Sequence, residues 1–260
     1  MVQPSAGEMG TFIAIGGHEN KSGDMAVLKR VLQEAKGSQS RVHIITTAGT
    51  LPEEYKKMYE DAFRLLGVEC VVTYIATREE ANDPQIVSRI ADADVIFFSG
   101  GDQSRLPAIL GGTAFLDEVM RLFRQGTVLA GTSAGAAASC AMMIYPDGKG
   151  GALLKTGLGF VPGVVFDTHF DTGKRLTRLF NVITAKPKQG KLARLFNFLT
   201  AKRSNIGIGL DENTAVVMHN KNMLEVVGSG CVTIIDGKSL QQKLVAGDRY
   251  NLKKRKIIPA

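Results

Sequence analysis

The residues best suited to chemistry are Gly131-Thr132-Ser133-Ala134-Gly135. Gly-x-Ser-x-Gly is the nucleophile-elbow pattern, in which a serine sits on a sharp strand-to-helix turn with its Oγ exposed. A Cβ at either glycine would crowd that turn, and glycine tolerates the backbone angles it requires. Val128, Leu129 and Ala130 read as a short apolar strand before it, and Ala136 to Ala138 as a small-residue helix after it. A helix starting there directs backbone N–H groups toward a developing oxyanion. The chemistry implied is attack by Ser133 on a carbonyl.

Such a serine needs a base within hydrogen-bond reach and an acid to orient that base. Of the four histidines, His18 follows a Gly turn, His43 lies inside a strand where packing explains it, and His219 ends a strand beside Asn220. His169 ends a strand between Asp167 and Asp171, the richest polar setting of the four. The chain order Ser–acid–His of α/β-hydrolases would instead select Ser133, Asp167 and His219, and spacing leaves both sets open. No spacing fits zinc, a P-loop or a dinucleotide fingerprint, so neither a metal nor an organic cofactor is implied. Cys70, Cys140 and Cys231 share no metal spacing, and each stands in an apolar run suited to packing.

These residues must be held by a scaffold, and its pattern is regular. Apolar strands Thr11–Ile15, Val42–Ile45, Val71–Ile75 and Val95–Phe98 alternate with helices over Asp24–Lys36, Pro52–Leu66, Asp83–Ala91, Ser104–Leu110 and Ala114–Arg124. That alternation predicts an α/β fold, a parallel sheet with helices on both faces, whose sites lie at the carboxyl ends of strands. Gly16-Gly17, Gly100-Gly101 and the elbow all fall there. Past the elbow, Phe160–His169 reads as a strand delivering polar groups at its end. Thr214–Met218, Met223–Val227 and Val232–Ile235 read as short antiparallel strands. Lys253-Lys254-Arg255-Lys256 reads as a solvated tail.

The 260 residues, 44% hydrophobic and 22% charged, suit one α/β domain over 1–260. Met1 to Glu8 show no signal pattern and no run approaches a membrane span. With the cysteine usage, this makes a reducing cytoplasm the expected location, with no membrane partner. The net charge of +7 is concentrated: nine Lys/Arg and no Asp or Glu lie between Thr172 and Arg203, leaving −2 elsewhere. This is a basic segment on a near-neutral chain, suited to an anionic ligand or polymer or simply to a solvated face, and nucleic acid is not the expected partner. The segment holds a tandem repeat: Leu176–Lys186 matches Leu192–Lys202 at eight of eleven positions. Leu176, Leu179, Phe180 and Ile183 in the first copy, and Leu192, Leu195, Phe196 and Leu199 in the second, predict two amphipathic helices split by Pro187 and Gly190. The segment 173–203 is read as a basic helical insertion.

Four motifs stand in order along the chain: Gly100-Gly101-Asp102-Gln103, Gly131 to Ala136, Asp167-Thr168-His169-Phe170, and Gly207-Ile208-Gly209-Leu210-Asp211-Glu212 with Thr214-Ala215. In this the chain resembles the serine-peptidase family that contains cyanophycinase and α-aspartyl dipeptidase. The resemblance implies a class I glutamine-amidotransferase-like (flavodoxin-like) fold and a serine exopeptidase acting as a homodimer. The implied substrate is cyanophycin, multi-L-arginyl-poly-L-aspartate, cut to β-aspartyl-arginine. It implies Ser133 as nucleophile, His169 as base and Glu212 as the orienting acid, with Gln103, Asp167, Thr168, Arg175 and Arg178 at the substrate. Ala134 and Gly101 N–H groups suit an oxyanion hole. Arg175 and Arg178 suit substrate carboxylates, and Asp167 a substrate cation. Thr168 and Gly173 stand where cyanophycinases carry Gln and Arg. The alternatives are an α-aspartyl or other acidic dipeptidase and, in another class, a non-catalytic protein that holds an anionic polymer.

Overall fold

The computed structural model describes residues 10–146, 152–170, 175–184, 206–219, 222–236 and 241–259. The second repeat copy, Arg194, Asp171 and Gly173 lie outside them, as do Met1 to Glu8. The first half alternates as its sequence predicts: β1 (Phe12–Ile15), α1 (Ala26–Gln33), β2 (Val42–Ile45), α2 (Pro52–Leu65), β3 (Cys70–Thr73), α3 (Pro84–Ser88), β4 (Val95–Phe98), α4 (Arg105–Leu110), α5 (Ala114–Arg124), β5 (Val128–Thr132) and α6 (Ala134–Ala138). Then come β6 (Met142–Pro146), β7 (Ala152–Thr156), β8 (Val164–Thr168), α7 (Arg175–Thr184), β9 (Ile206–Leu210), β10 (Thr214–His219), β11 (Met223–Gly228), β12 (Val232–Asp236), β13 (Gln241–Leu244), β14 (Arg249–Asn251) and β15 (Lys256–Ile258). α1 begins later than Asp24 suggests, because Asn20 Nδ2 donates to the Asp24 carboxylate (2.9 Å) and Met25 is left-handed.

Among the described residues the main sheet runs β15-β14-β11-β10-β1-β5-β4-β2-β3. Its β1-β5-β4-β2-β3 half is parallel, and β10, β11, β14 and β15 extend it antiparallel. Alternation along each buried strand feeds two cores. Ile13, Ile15, Val95 and Phe97 pack on the α1/α2 side, whereas Phe12, Ala14, Ile96 and Phe98 pack on the other. On that second side the cover is more than helices. A four-stranded sheet, β13-β12-β9-β8, packs there as well, with β8 and β9 parallel. The three late strands therefore divide between two sheets, β10 and β11 in one and β12 in the other.

Two expectations change. Lys253, Lys254 and Lys256 are solvated as expected, but the segment is no simple tail: it makes the turn and start of the β14–β15 hairpin, with Arg255 at φ 51° and its Nη1 3.2 Å from Asp236 Oδ2. In α7, Leu179 and Ile183 are buried, but Leu176 and Phe180 are exposed, so the apolar stripe is half the width that the spacing suggests.

Candidate active site

β5 lies inside the main sheet, paired in parallel with both β1 and β4. Its end turns abruptly into α6 at Ser133, whose φ of 51° and ψ of −109° are unusual for a residue with a side chain. Ser133 N–H donates to Ile15 O (3.0 Å), tying the turn to the end of β1. The flanking glycines are steric requirements. A Cβ on Gly131 would lie 2.6 Å from the Gly135 carbonyl, and one on Gly135 would lie 2.3 Å from Phe98 O.

Ser133 Oγ lies 2.8 Å from His169 Nε2, and His169 Nδ1 lies 2.7 Å from Glu212 Oε1. β8 delivers His169 just past its end, where the residue adopts φ 52° and its N–H donates to Gly16 O (2.8 Å). Glu212 follows β9, the parallel neighbour of β8. The carboxyl of Glu212 is held below its ordinary value, chiefly by the hydrogen bond from His169 and further by His18. This chain can pass a proton from hydroxyl to imidazole while an ionised carboxylate fixes the ring. Gly100 sits beside the nucleophile, where a Cβ would stand 3.4 Å from Ser133 Cβ, and Gly101 follows it. Ala134 is the first residue of α6, where a backbone N–H has no acceptor within its own helix.

A cavity of about 520 Å³ opens over Ser133 and His169, bounded by Gly100 and Gly101 and, from α2, by Tyr55 and Met58. Two residues in its wall were not anticipated as site residues. His18, mostly exposed, places Nδ1 3.0 Å from Glu212 Oε1 and sets its ring edge-on to that of His169, centroids 5.0 Å apart. Glu19 is buried, accepting from Tyr59 OH (2.8 Å) and Thr132 Oγ1 (2.6 Å) and pairing with Lys21 Nζ (3.1 Å). Gly16-Gly17 at the end of β1 was the available signal for this loop.

The expected substrate residues are arranged differently. Asp167, 2% exposed, is gripped by the forked guanidinium of Arg178, with Nε 3.1 Å from Oδ2 and Nη2 on Oδ1. Arg175 Nη1 lies 3.5 Å from Asp167 Oδ1 and also donates to Thr168 O. Burial raises the Asp167 carboxyl, against the pull of both arginines. These groups, expected to meet substrate charges separately, meet one another. Gln103 Nε2 donates to Ile144 O in β6 (3.1 Å), anchoring the β6–β7 hairpin. None of these five is among the residues that line the cavity over Ser133.

His43 is buried within β2, and burial lowers the pKa of its ring. The alternative base, His219, lies at the opposite end of the sheet, 3.5 Å from Thr11 Oγ1 and 3.7 Å from Glu34 Oε2. Its distance from Ser133 removes the Ser133–Asp167–His219 set. Burial pushes the Cys140 thiol up to about 12 and that of Cys70 to about 11, which leaves both un-ionised and poor nucleophiles. No helix among the described residues is long and apolar enough to cross a membrane.

Comparison with known proteins places this geometry in context. The model of peptidase family S51 matches residues 12–226. Cyanophycinase of Synechococcus elongatus is 33% identical over 243 residues, 90% of this chain and 70% of that one. Cyanophycinase of a Nostoc species is 30% identical over 276 residues, 95% of this chain and 87% of its own. The crystal structure of a peptidase from an acI-B1 Actinobacterium superimposes with a TM-score of 0.73 at 24% identity, over 95% of this chain and 98% of the other, and shares the fold.

Proposed function

The chain belongs to peptidase family S51 and is a serine-type peptidase; on that premise we propose that Ser133, His169 and Glu212 carry out the hydrolysis and that cyanophycin is the substrate. The observation that carries the site assignment is the continuous chain Ser133 Oγ–His169–Glu212 at 2.8 and 2.7 Å. Ser133 Oγ attacks the scissile carbonyl as His169 Nε2 takes its proton, and the Glu212 carboxylate stabilises the imidazolium. The N–H groups of Ala134 and Gly101 receive the oxyanion. His169 then protonates the leaving amine, and water, activated by the same imidazole, releases the acyl group.

Cyanophycin carries guanidinium groups on a polyaspartate backbone, so its recognition calls for both signs of charge beside the nucleophile. Asp167, Arg175 and Arg178 supply them next to His169. Substrate binding exchanges their mutual contacts for contacts with the polymer, which offsets the cost of separating a buried pair. The test is incubation of the pure protein with insoluble cyanophycin granules. Release of soluble β-aspartyl-arginine by the native chain, absent with Ser133→Ala, is the expected result. Cleavage of α-aspartyl dipeptides with granules left intact would replace this substrate with the dipeptidase reading.

A further inference from the structure

We propose that His18, His169 and Glu212 form a zinc site whose occupancy switches the peptidase off. The three side chains come from three separate loops, yet each offers a ligand atom and these all lie within 4.8 Å of one another. Glu212 Oε1 is 3.0 Å from His18 Nδ1 and 2.7 Å from His169 Nδ1. Ligand atoms of a tetrahedral zinc with bonds of about 2.0 Å stand roughly 3.3 Å apart, so the Glu212 oxygen must draw back from each imidazole by about half an ångström or less, while the two imidazole ligand atoms, at most 4.8 Å apart, close on the ion. Two imidazoles and one carboxylate are a standard zinc donor set, with water as the fourth ligand. His18 is largely exposed, which gives the ion a path from solvent.

The loop that presents His18 is held in place at a backbone cost. His18 itself has φ 48°, and Gly17 packs so tightly that a Cβ there would lie 2.4 Å from His169 Cε1. Gly16 O accepts from His169 N–H and Gly17 O from Asn213 N–H, both at 2.8 Å. All three ligand-bearing loops are thereby tied together through backbone before any ion arrives. A surface histidine needs no such arrangement, and strain of this kind concentrates at functional positions.

Occupancy would disable catalysis by a proton rearrangement. In the metal-free site His169 Nδ1–H donates to Glu212 and Nε2 accepts from Ser133. Coordination takes the Nδ1 lone pair, and the single imidazole proton moves to Nε2. The ring stays neutral, no net proton leaves it, and Nε2 no longer accepts from Ser133 Oγ. Glu212, bound to the same ion, no longer stabilises an imidazolium.

Binding is tested without any substrate by titrating zinc calorimetrically into the Ser133→Ala chain, which keeps all three ligands. One ion per chain is expected, with affinity at least about tenfold weaker when His18→Ala or Glu212→Gln is added, since lesser changes around metal sites cost that much. Thermal melting of each variant checks that it is folded. Binding unchanged by both substitutions, or absent altogether, overturns the proposal. The inhibition arm rests on the proposed roles of His169 and Glu212. In the active chain, zinc should suppress turnover over its binding range and a chelator should restore it. His18→Ala, measured against its own zinc-free rate, should keep that rate at the same zinc concentration. Zinc that binds through His18 and leaves turnover unchanged would overturn the switch.

Discussion

At the residue scale, the hydrogen-bond chain through Ser133, His169 and Glu212 makes the sharpest demand. Triad members act as a unit, so Ser133→Ala and His169→Ala should each lower kcat on the order of 10³-fold or more. His219→Ala, altered at the far end of the sheet, should leave kcat near that of the native chain. Steady-state kinetics on a β-aspartyl peptide decides it: an inactive His219→Ala beside an active His169→Ala would refute the assignment of the base. Ser133 was legible because the elbow is a local motif, its two glycines demanded by contacts within five residues and by Phe98 O. His169 was legible from polar neighbours at a strand end, and Glu212 only through resemblance. His18 was not, because its place beside Glu212 spans 194 positions of sequence and depends on the turn at Gly16-Gly17. Nor was Glu19, whose partners Tyr59 and Thr132 lie on two other elements.

At the element scale, the joint between β5 and α6 leaves no room for a side chain at either flanking glycine. Gly131→Ala forces a Cβ against the Gly135 backbone, where neither side can give way by a rotamer change. Overpacking of this kind costs roughly 1–3 kcal/mol. Melting should therefore show a lower Tm, and the fraction still folded should be inactive because Ser133 is displaced. Full activity at native Tm would contradict the elbow. A second joint ties α1 to β11: Arg30 forks onto Glu225 with Nη1–Oε1 at 2.9 Å and Nη2–Oε2 at 3.1 Å, and Arg30 Nε also reaches Glu34. The hydrogen bonds from Arg30 hold the Glu225 carboxyl below its ordinary range. A lowered value stabilises the fold above the ordinary glutamate value of about 4.3 and loses that contribution as pH falls through the lowered one. Urea unfolding of the native chain and Glu225→Gln should differ by roughly 0.5–1 kcal/mol at pH 7, and the gap should close in acid. An equal gap at both pH values would rule this out. Elements such as β2 and β4 were read to the residue because Val42–Ile45, apolar but for His43, and the wholly apolar Val95–Phe98 are buried on both faces. β13 and β14 escaped because each is short and largely polar, and pairing rather than apolar periodicity makes them strands.

At the scale of the whole molecule, the basic tandem repeat is the sequence feature that the hydrolytic site leaves without a role. Its first copy is built in. α7 seats Leu179 and Ile183 over Gly207 of β9, where a Cβ would lie 2.9 Å from each side chain, and its Arg175 and Arg178 hold Asp167. Helix, second sheet and the residues flanking His169 are thus connected through one copy. Removing the 16 residues 187–202 takes away Lys188, Lys191, Arg194 and Lys202, four of the nine basic residues of the segment, and leaves every one of those contacts. The shortened chain should therefore fold with native Tm and cleave short β-aspartyl peptides at the native rate. A polymer is a different substrate, since it can also touch charges away from the bond being cut. Attraction between exposed charges is screened over roughly 8 Å at physiological ionic strength. If the second copy contributes such contacts, cyanophycin binding by the native chain should weaken with added salt, and the deletion should remove most of that dependence while sparing the short peptide. Sedimentation of granules with bound protein, at low and at high salt, measures this directly. Equal binding by both chains at every salt concentration would make the second copy dispensable to substrate recognition. Loss of short-peptide cleavage on deletion would mean instead that the working helix draws on both copies.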